Sequence, residues 1–96
     1  LALSATSRLT VGSNIAVAFA RSPFVVAQTA WNLAGLSGGR FILGLGPQVK
    51  PHIQKRFSMP WPDSPVEGME EYLALLRHLF AAFRERRPPN FEGSYY

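Results

Sequence analysis

Cysteine is absent from the sequence, so neither a disulfide framework nor a thiolate metal site can be built from these residues. Histidine occurs twice, at His52 and His78, far apart and with no ligand spacing around either. No apolar run approaches the ~20 residues that a membrane-spanning helix needs, and no charged segment with a cleavage site opens the chain. A soluble, cytoplasmic protein without membrane contact is the expectation. No Gly-Lys-Ser/Thr sequence occurs, which excludes a P-loop within these residues. Acidic residues are scarce, six against ten Lys and Arg, leaving a net charge of +4. That excess suggests a polyanion partner, but its distribution argues otherwise. Six of the ten cations lie in "KPHIQKRF" and "RERR", and the second group closes a helix, where cations complement the dipole. Nucleic-acid binding is therefore not expected.

What is present is enough for one small core: 96 residues, 47% hydrophobic and 12% aromatic. The ends do not resemble domain ends. The chain opens on Leu1 inside the apolar, helix-like "LALSAT", and closes at Tyr96 after "NFEGSYY", which reads as a strand beginning without a partner. An internal piece of a longer protein is expected.

Residues 9–19, "LTVGSNIAVAF", are rich in β-formers and continuously apolar after Asn14, as in a strand buried on both faces of a parallel sheet. Gly12-Ser13-Asn14 interrupts the run and suggests a bulge or a close approach to the backbone. Ser22 before Pro23 reads as an N-cap with proline at the first helical position. Ala27, Ala30, Leu33, Ala34 and Leu36 then mark one helical face, and Gly38-Gly39 ends it. "RFILGL", residues 40–45, is a second short strand. Strand, helix, strand with tight connections is a βαβ unit with parallel strands.

A loop with five prolines follows, "GPQVKPHIQKRFSMPWPDSP", with room for one helical turn; Phe57 and Trp61 favour its packing. Pro65 and Val66 open the clearest helix. Met69, Tyr72, Leu73, Leu76, Leu79, Phe80 and Phe83 form its apolar face, Arg84 to Arg87 solvate its end, and Pro88-Pro89 stop it. Such β/α alternation points to a barrel or an open doubly wound sheet.

In either architecture ligands bind beyond the carboxyl ends of parallel strands. Here those ends are "AFARSP" and "GLGPQVKPH". Gly44-Leu-Gly46 is a poor dinucleotide fingerprint: Val49 stands where the third glycine belongs, and Pro51 spoils a helix start. Either the two glycines relieve crowding at a barrel rim, or they let a flat ring approach bare backbone. Lys50, His52 and Arg56, with Lys55, are candidate contacts for an anionic group, against the plainer reading of a solvated loop. His78 falls on the polar side of its helix and reads as surface. Glu70 and Glu71 are adjacent and point apart, so they form no carboxylate pair. No nucleophile-base pair can be assembled.

The stretch "VGSNIAVAFARSPFVVAQTAWNLAGLSGGRFILGLG" resembles the luciferase-like monooxygenase family, and in particular its branch of oxidoreductases using the deazaflavin coenzyme F420. "PHIQKRFSMPW" and "MEEYLALLRHLF" are similar to that branch as well. The resemblance implies a TIM-type (β/α)8 barrel of the bacterial-luciferase kind. Residues 1–96 would be part of that single barrel domain, supplying strands three and four with their helices. Since such a barrel needs ~250 residues, this agrees with an internal piece.

The resemblance further implies a non-proline cis peptide at Asn14-Ile15, in a bulge formed with Ser13, that supports the central ring of a deazaflavin or flavin. It implies that Gly46, Pro47 and Gln48 line the same cofactor. Pro47 stands where sugar-phosphate dehydrogenase relatives carry an acid, which speaks against that substrate. The expected function is hydride transfer between F420 and a small organic substrate, with the catalytic acid/base supplied by other strands. An FMN-dependent monooxygenase of the same fold is the alternative, and a small basic nucleic-acid-binding module is an alternative of another class. Family members are often dimers, so a homodimer of the full-length protein is possible.

Overall fold

Proline at the first helical position opens both long helices of the computed structural model, which describes residues 1–88, 91, 93, 95 and 96. Helix α1 spans Pro23–Ser37 and ends where Gly38 (φ 66°) turns left-handed, its N–H returning to Ala34 and Gly35 carbonyls. Gly39 (φ 87°) continues that turn and donates to Ala34 O at 2.8 Å. The double glycine thus ends α1 as its sequence suggests. At the other end Ser22 holds the N-cap position, yet its side chain makes no cap bond. It supplies its backbone carbonyl to Val26 N (3.0 Å) instead.

Helix α2 spans Pro65–Glu85, and here the N-cap is real: Ser64 Oγ accepts from Glu67 N at 3.3 Å. The helix stops before Pro88 is reached, because Arg86 (φ 56°) takes the left-handed conformation and Arg87 N closes back on Ala82 O at 3.0 Å. Tyr72, Leu76, Leu79 and Ala82 are buried along α2, with Met69, Phe80 and Phe83 half-buried beside them. Leu73 is 43% exposed and sits at the edge of the stripe rather than within it. On α1 the face is Val26, Ala27 and Ala30, with Leu33 and Ala34 half-buried; Leu36, expected on it, is 71% exposed because it lies on the opposite side of the helix. Trp31 joins the two helices, stacked on Phe80 (6.3 Å) and edge-on to Phe83 (5.8 Å).

The two expected strands are each divided. Residues 9–19 form β1 (Val11–Gly12) and β2 (Ala16–Val17), after which Ala18–Ala20 closes a 3₁₀ turn, so Phe19 is not extended. The second run forms β3 (Phe41–Ile42) and β4 (Leu45–Gly46). Pairing is parallel throughout, Val11 with Phe41 and Gly12 with Ile42, then Ala16 with Leu45 and Val17 with Gly46. Between the two pairs, residues 13–15 face residues 43–44, one residue too many on the first strand. That mismatch is a β-bulge and divides both strands. Burial on both faces does not hold here, since Leu9 is 53% and Ile42 60% exposed.

The core gathers Ala18 and Phe19 from the turn after β2, Val26 and Ala27 from α1, Ile53, and Tyr72, Leu76 and Leu79 from α2. Ile53 belongs to a π-helical turn, His52–Arg56, the one turn expected in the proline-rich loop. Trp61 packs edge-on to Phe19 at 5.5 Å, while Phe57 is 42% exposed. The expected helix over "LALSAT" is a single turn closed by Ala5 N to Leu1 O at 3.0 Å.

Arg40 holds that turn at the amino end of β3. Its guanidinium donates to Ser37 O (2.8 Å), Leu9 O (2.9 Å), Leu3 O (3.0 Å), Thr6 O (3.1 Å) and Thr6 Oγ1 (3.1 Å). The expected strand at the end of the chain involves Asn90, Glu92 and Ser94, and Pro89 belongs to the expected helix stop; these four lie outside the described residues.

Candidate functional site

The bulge between β1–β3 and β2–β4 is built from Ser13, Asn14 and Ile15 on one strand and Leu43 and Gly44 on the other. Ser13 N donates to Ile42 O at 3.1 Å, continuing the ladder. Ser13 Oγ then does what a backbone partner would do: it donates to Gly44 O (2.8 Å) and accepts from Gly44 N (2.9 Å). Ala16 N adds a second donor to Gly44 O at 2.9 Å, and the ladder resumes. The Asn14–Ile15 peptide within the bulge is cis, at the position the family resemblance implies.

Glycine is required where position 44 of the partner strand meets this bulge, and at 46 it leaves room for a neighbouring side chain. A Cβ on Gly44 would collide with the carbonyl oxygen of Ser13, and one on Gly46 would collide with Ile15 Cδ1. Of the two readings of Gly-Leu-Gly, relief of crowding by the chain itself is therefore the one realised at these α-carbons. The surface exposed at the bulge is Ile15, 41% exposed over the buried Gly46, with Asn14, Pro47 and Gln48 exposed around it. Gln48 adopts φ 59° and turns the chain away from β4. This surface carries two amides, an aliphatic side chain and a proline ring, and no charge.

The structure thus brings Ile15 against Gly46 and Ser13 against Gly44, with Asn14 inside the bulge and Pro47 and Gln48 running on from β4. Lys50, His52 and Arg56 belong to the next turn. Lys50 and Arg56 are exposed and His52 is half-buried. Among the described residues, no side-chain hydrogen bond or ion pair joins any of the three to the bulge. No group of residues that could hold a metal ion occurs among the described residues, and no helix there is long and apolar enough to cross a membrane.

A cleft lies at "AFARSP", one of the two strand ends marked in the sequence as a binding face, although the contribution of Met59, Trp61, Asp63 and Tyr96 to it was not foreseen. About 450 Å³ in volume, it opens past the carboxyl end of β2, between Phe19, Arg21, Met59, Trp61, Asp63 and Tyr96. Beneath it the fully buried Tyr72 donates its hydroxyl to Arg21 O at 3.1 Å. Burial holds that hydroxyl well above the usual tyrosine range; Tyr96 adds to the shift, and the Arg21 charge opposes it. Glu71, which forms no carboxylate pair with Glu70, accepts from Tyr95 N at 2.6 Å. Burial and that carboxylate raise Tyr96 as well. His78 is likewise not bare surface: it is half-buried, its ring 5.8 Å from that of Phe91. None of these positions is marked by a local motif. Each depends on segments that only the fold brings together.

The sequence matches the family model of luciferase-like monooxygenase over residues 1–96. It is 52% identical over 96 residues to an uncharacterized protein of Mycobacterium tuberculosis, covering all of this chain and 28% of that protein. A putative coenzyme F420-dependent oxidoreductase of the same organism is 33% identical over 78 residues, 81% of this chain and 22% of the relative. The 5,10-methylenetetrahydromethanopterin reductase of Methanopyrus kandleri is 29% identical over 104 residues, 99% of this chain and 30% of the relative. No solved structure matches the chain significantly. The chain spans less than a third of the length of these relatives. With its whole length covered by the family model and its parallel β/α order agreeing, the chain belongs to the luciferase-like monooxygenase family, whose fold is a TIM barrel.

Proposed function

We propose that the full-length protein is an F420-dependent oxidoreductase, transferring a hydride between the deazaflavin and a small organic substrate. In this reading residues 1–96 contribute strands three and four of a (β/α)8 barrel with their helices. The carboxyl ends of parallel strands carry the site, as in barrels generally. The observation that supports it best is the uncharged surface of Asn14, Ile15, Pro47 and Gln48, assembled around a bulge whose partner strand carries glycine at 44 and 46. The residues present fit a flat, largely apolar ring: Ile15 offers a face to pack on, and the amides of Asn14 and Gln48 offer hydrogen bonds to ring heteroatoms. The printed names of two relatives, an F420-dependent oxidoreductase and a methylenetetrahydromethanopterin reductase, point to the same chemistry.

The deazaflavin, when bound, supplies the carbon that accepts or releases the hydride. This chain's residues then act by binding and orientation. Ser13, Asn14 and Ile15 would support the ring, Gly46 to Gln48 would border it, and Lys50, His52 and Arg56 would contact an anionic group of the substrate. The test is a titration of the full-length protein with F420 and, separately, FMN, followed by fluorescence. Tight binding of F420 alone supports the proposal. Preference for FMN moves the protein to the monooxygenase alternative, and binding of neither overturns the cofactor reading.

A further inference from the structure

Ser13 sits at the one place where the parallel ladder is out of step, and its hydroxyl proton is committed there. The proton goes to Gly44 O (2.8 Å) and a lone pair receives Gly44 N–H (2.9 Å). A hydroxyl has a single proton to give, so none remains for a ligand while this pair of bonds holds. We propose that Ser13 is a positioning residue of the cofactor surface rather than a contact to the cofactor: its hydroxyl replaces the missing backbone partner at the bulge and so sets where Ile15 lies over Gly46. The inference rests on the oxidoreductase reading for what the surface binds, but not for the clamp itself.

The geometry carries this in three steps. A bulge leaves its extra residue unpaired and bends the strand. Here Gly44, opposite the bulge, would lose the partner of its N–H, and only Ala16 N would remain on its carbonyl (2.9 Å). The Ser13 hydroxyl fills both positions at once, in a half-buried site where an unpaired amide is costly. With Gly44 pinned, the chain from Ser13 to Ala16 has one way to rejoin the ladder, and that path lays Ile15 against Gly46. Removing the hydroxyl frees the register of residues 13–15 and displaces the Ile15 face without touching any group that meets the ligand.

The experiment compares Ser13→Ala, Ser13→Thr and Ser13→Cys with the wild type in the full-length protein. Two quantities are read: amide hydrogen exchange at Gly44 in the cofactor-free protein, and F420 affinity. Ser13→Ala is expected to speed exchange at Gly44 and to weaken F420 binding by about tenfold, the equivalent of one hydrogen bond near the top of its usual range. Ser13→Thr, which keeps the hydroxyl, restores both, and Ser13→Cys, with a longer and weaker donor, falls between and serves if the alanine variant does not fold. Weakened binding with unchanged Gly44 exchange would overturn the proposal in favour of a direct ligand contact; unchanged exchange and unchanged binding would overturn it outright. A wild type that binds no F420 removes the functional reading and the positioning role with it. Gly44 exchange still decides separately whether the clamp exists.

Discussion

The side chain of Ile15 lies against the bare α-carbon of Gly46, so that the last residue of the bulge is seated on the last residue of the neighbouring strand. The same relation holds one step earlier, where the carbonyl of Ser13 occupies the space a Cβ of Gly44 would need. Two glycines that read as an opening for a ligand are thus filled by the chain itself. The exposed surface at this point lies one layer further out, on Ile15.

Gly44→Ala sets a Cβ against a backbone oxygen that cannot turn aside, and is expected to destabilise by about 1–3 kcal/mol. Gly46→Ala meets the end of a side chain and should cost less. In the double variant Ile15→Ala/Gly46→Ala the losses should fall short of their sum, because removing Ile15 removes the collision. Urea unfolding of the full-length protein measures all four; strict additivity would show that Ile15 does not occupy that space.

Arg40 ties the first turn of the chain to the amino end of β3 through five donations to carbonyl and hydroxyl oxygens, none of them to a carboxylate. Lysine has the charge but not the fork, so Arg40→Lys should lose about 1–3 kcal/mol. Since no ion pair is involved, the loss should be the same in about 0.1 M and about 1 M salt. A loss that shrinks with salt would reveal a charged partner.

The two serines before prolines provide an internal control. Ser64 caps α2 through Glu67 N, whereas Ser22 makes no such bond on α1. Ser64→Ala should cost ~1 kcal/mol, and Ser22→Ala should stay within about 0.5 kcal/mol of wild type. Thermal unfolding of the two variants side by side is sufficient.

Tyr72 makes stability fall at high pH. Burial holds its hydroxyl above the ordinary value of 10.0 in the folded chain. Below about pH 10 both states keep the proton and the contribution is intact. Above it the unfolded chain releases a proton that the folded chain retains, so stability declines by at most about 1.4 kcal/mol per pH unit. Tyr72→Phe should flatten that decline while costing ~1 kcal/mol at neutral pH, because Arg21 O loses its donor. Denaturant midpoints between neutral and strongly alkaline pH test both parts.

The order of elements was legible because it rests on local chemistry. Ser22-Pro23, Gly38-Gly39 and Ser64-Pro65 punctuate the chain at short range, and the spacing of Tyr72, Leu76 and Leu79 marks the buried side of α2 by periodicity alone. The interruption at Gly12-Ser13-Asn14 was visible for the same reason. The difference between the two serines has a local mark as well: Glu67 stands three residues after Ser64, the capping-box spacing, whereas Val25 stands three residues after Ser22. His78 was misjudged as surface because Phe91, which approaches it, arrives from beyond the end of the helix; Tyr95 reaches Glu71 in the same way.

By itself, then, the sequence determined the alternation of strand and helix, the positions of the turns, and the family to which the chain belongs. All of these follow from residue types and their spacing along the backbone. The tertiary structure decided that one extra residue would be held between parallel strands, that the Ser13 hydroxyl would stand in for a ladder partner, and that Ile15 would close over Gly46. Those outcomes depend on the register between two strands separated by a whole helix. Register is a relation between segments, which no residue carries alone.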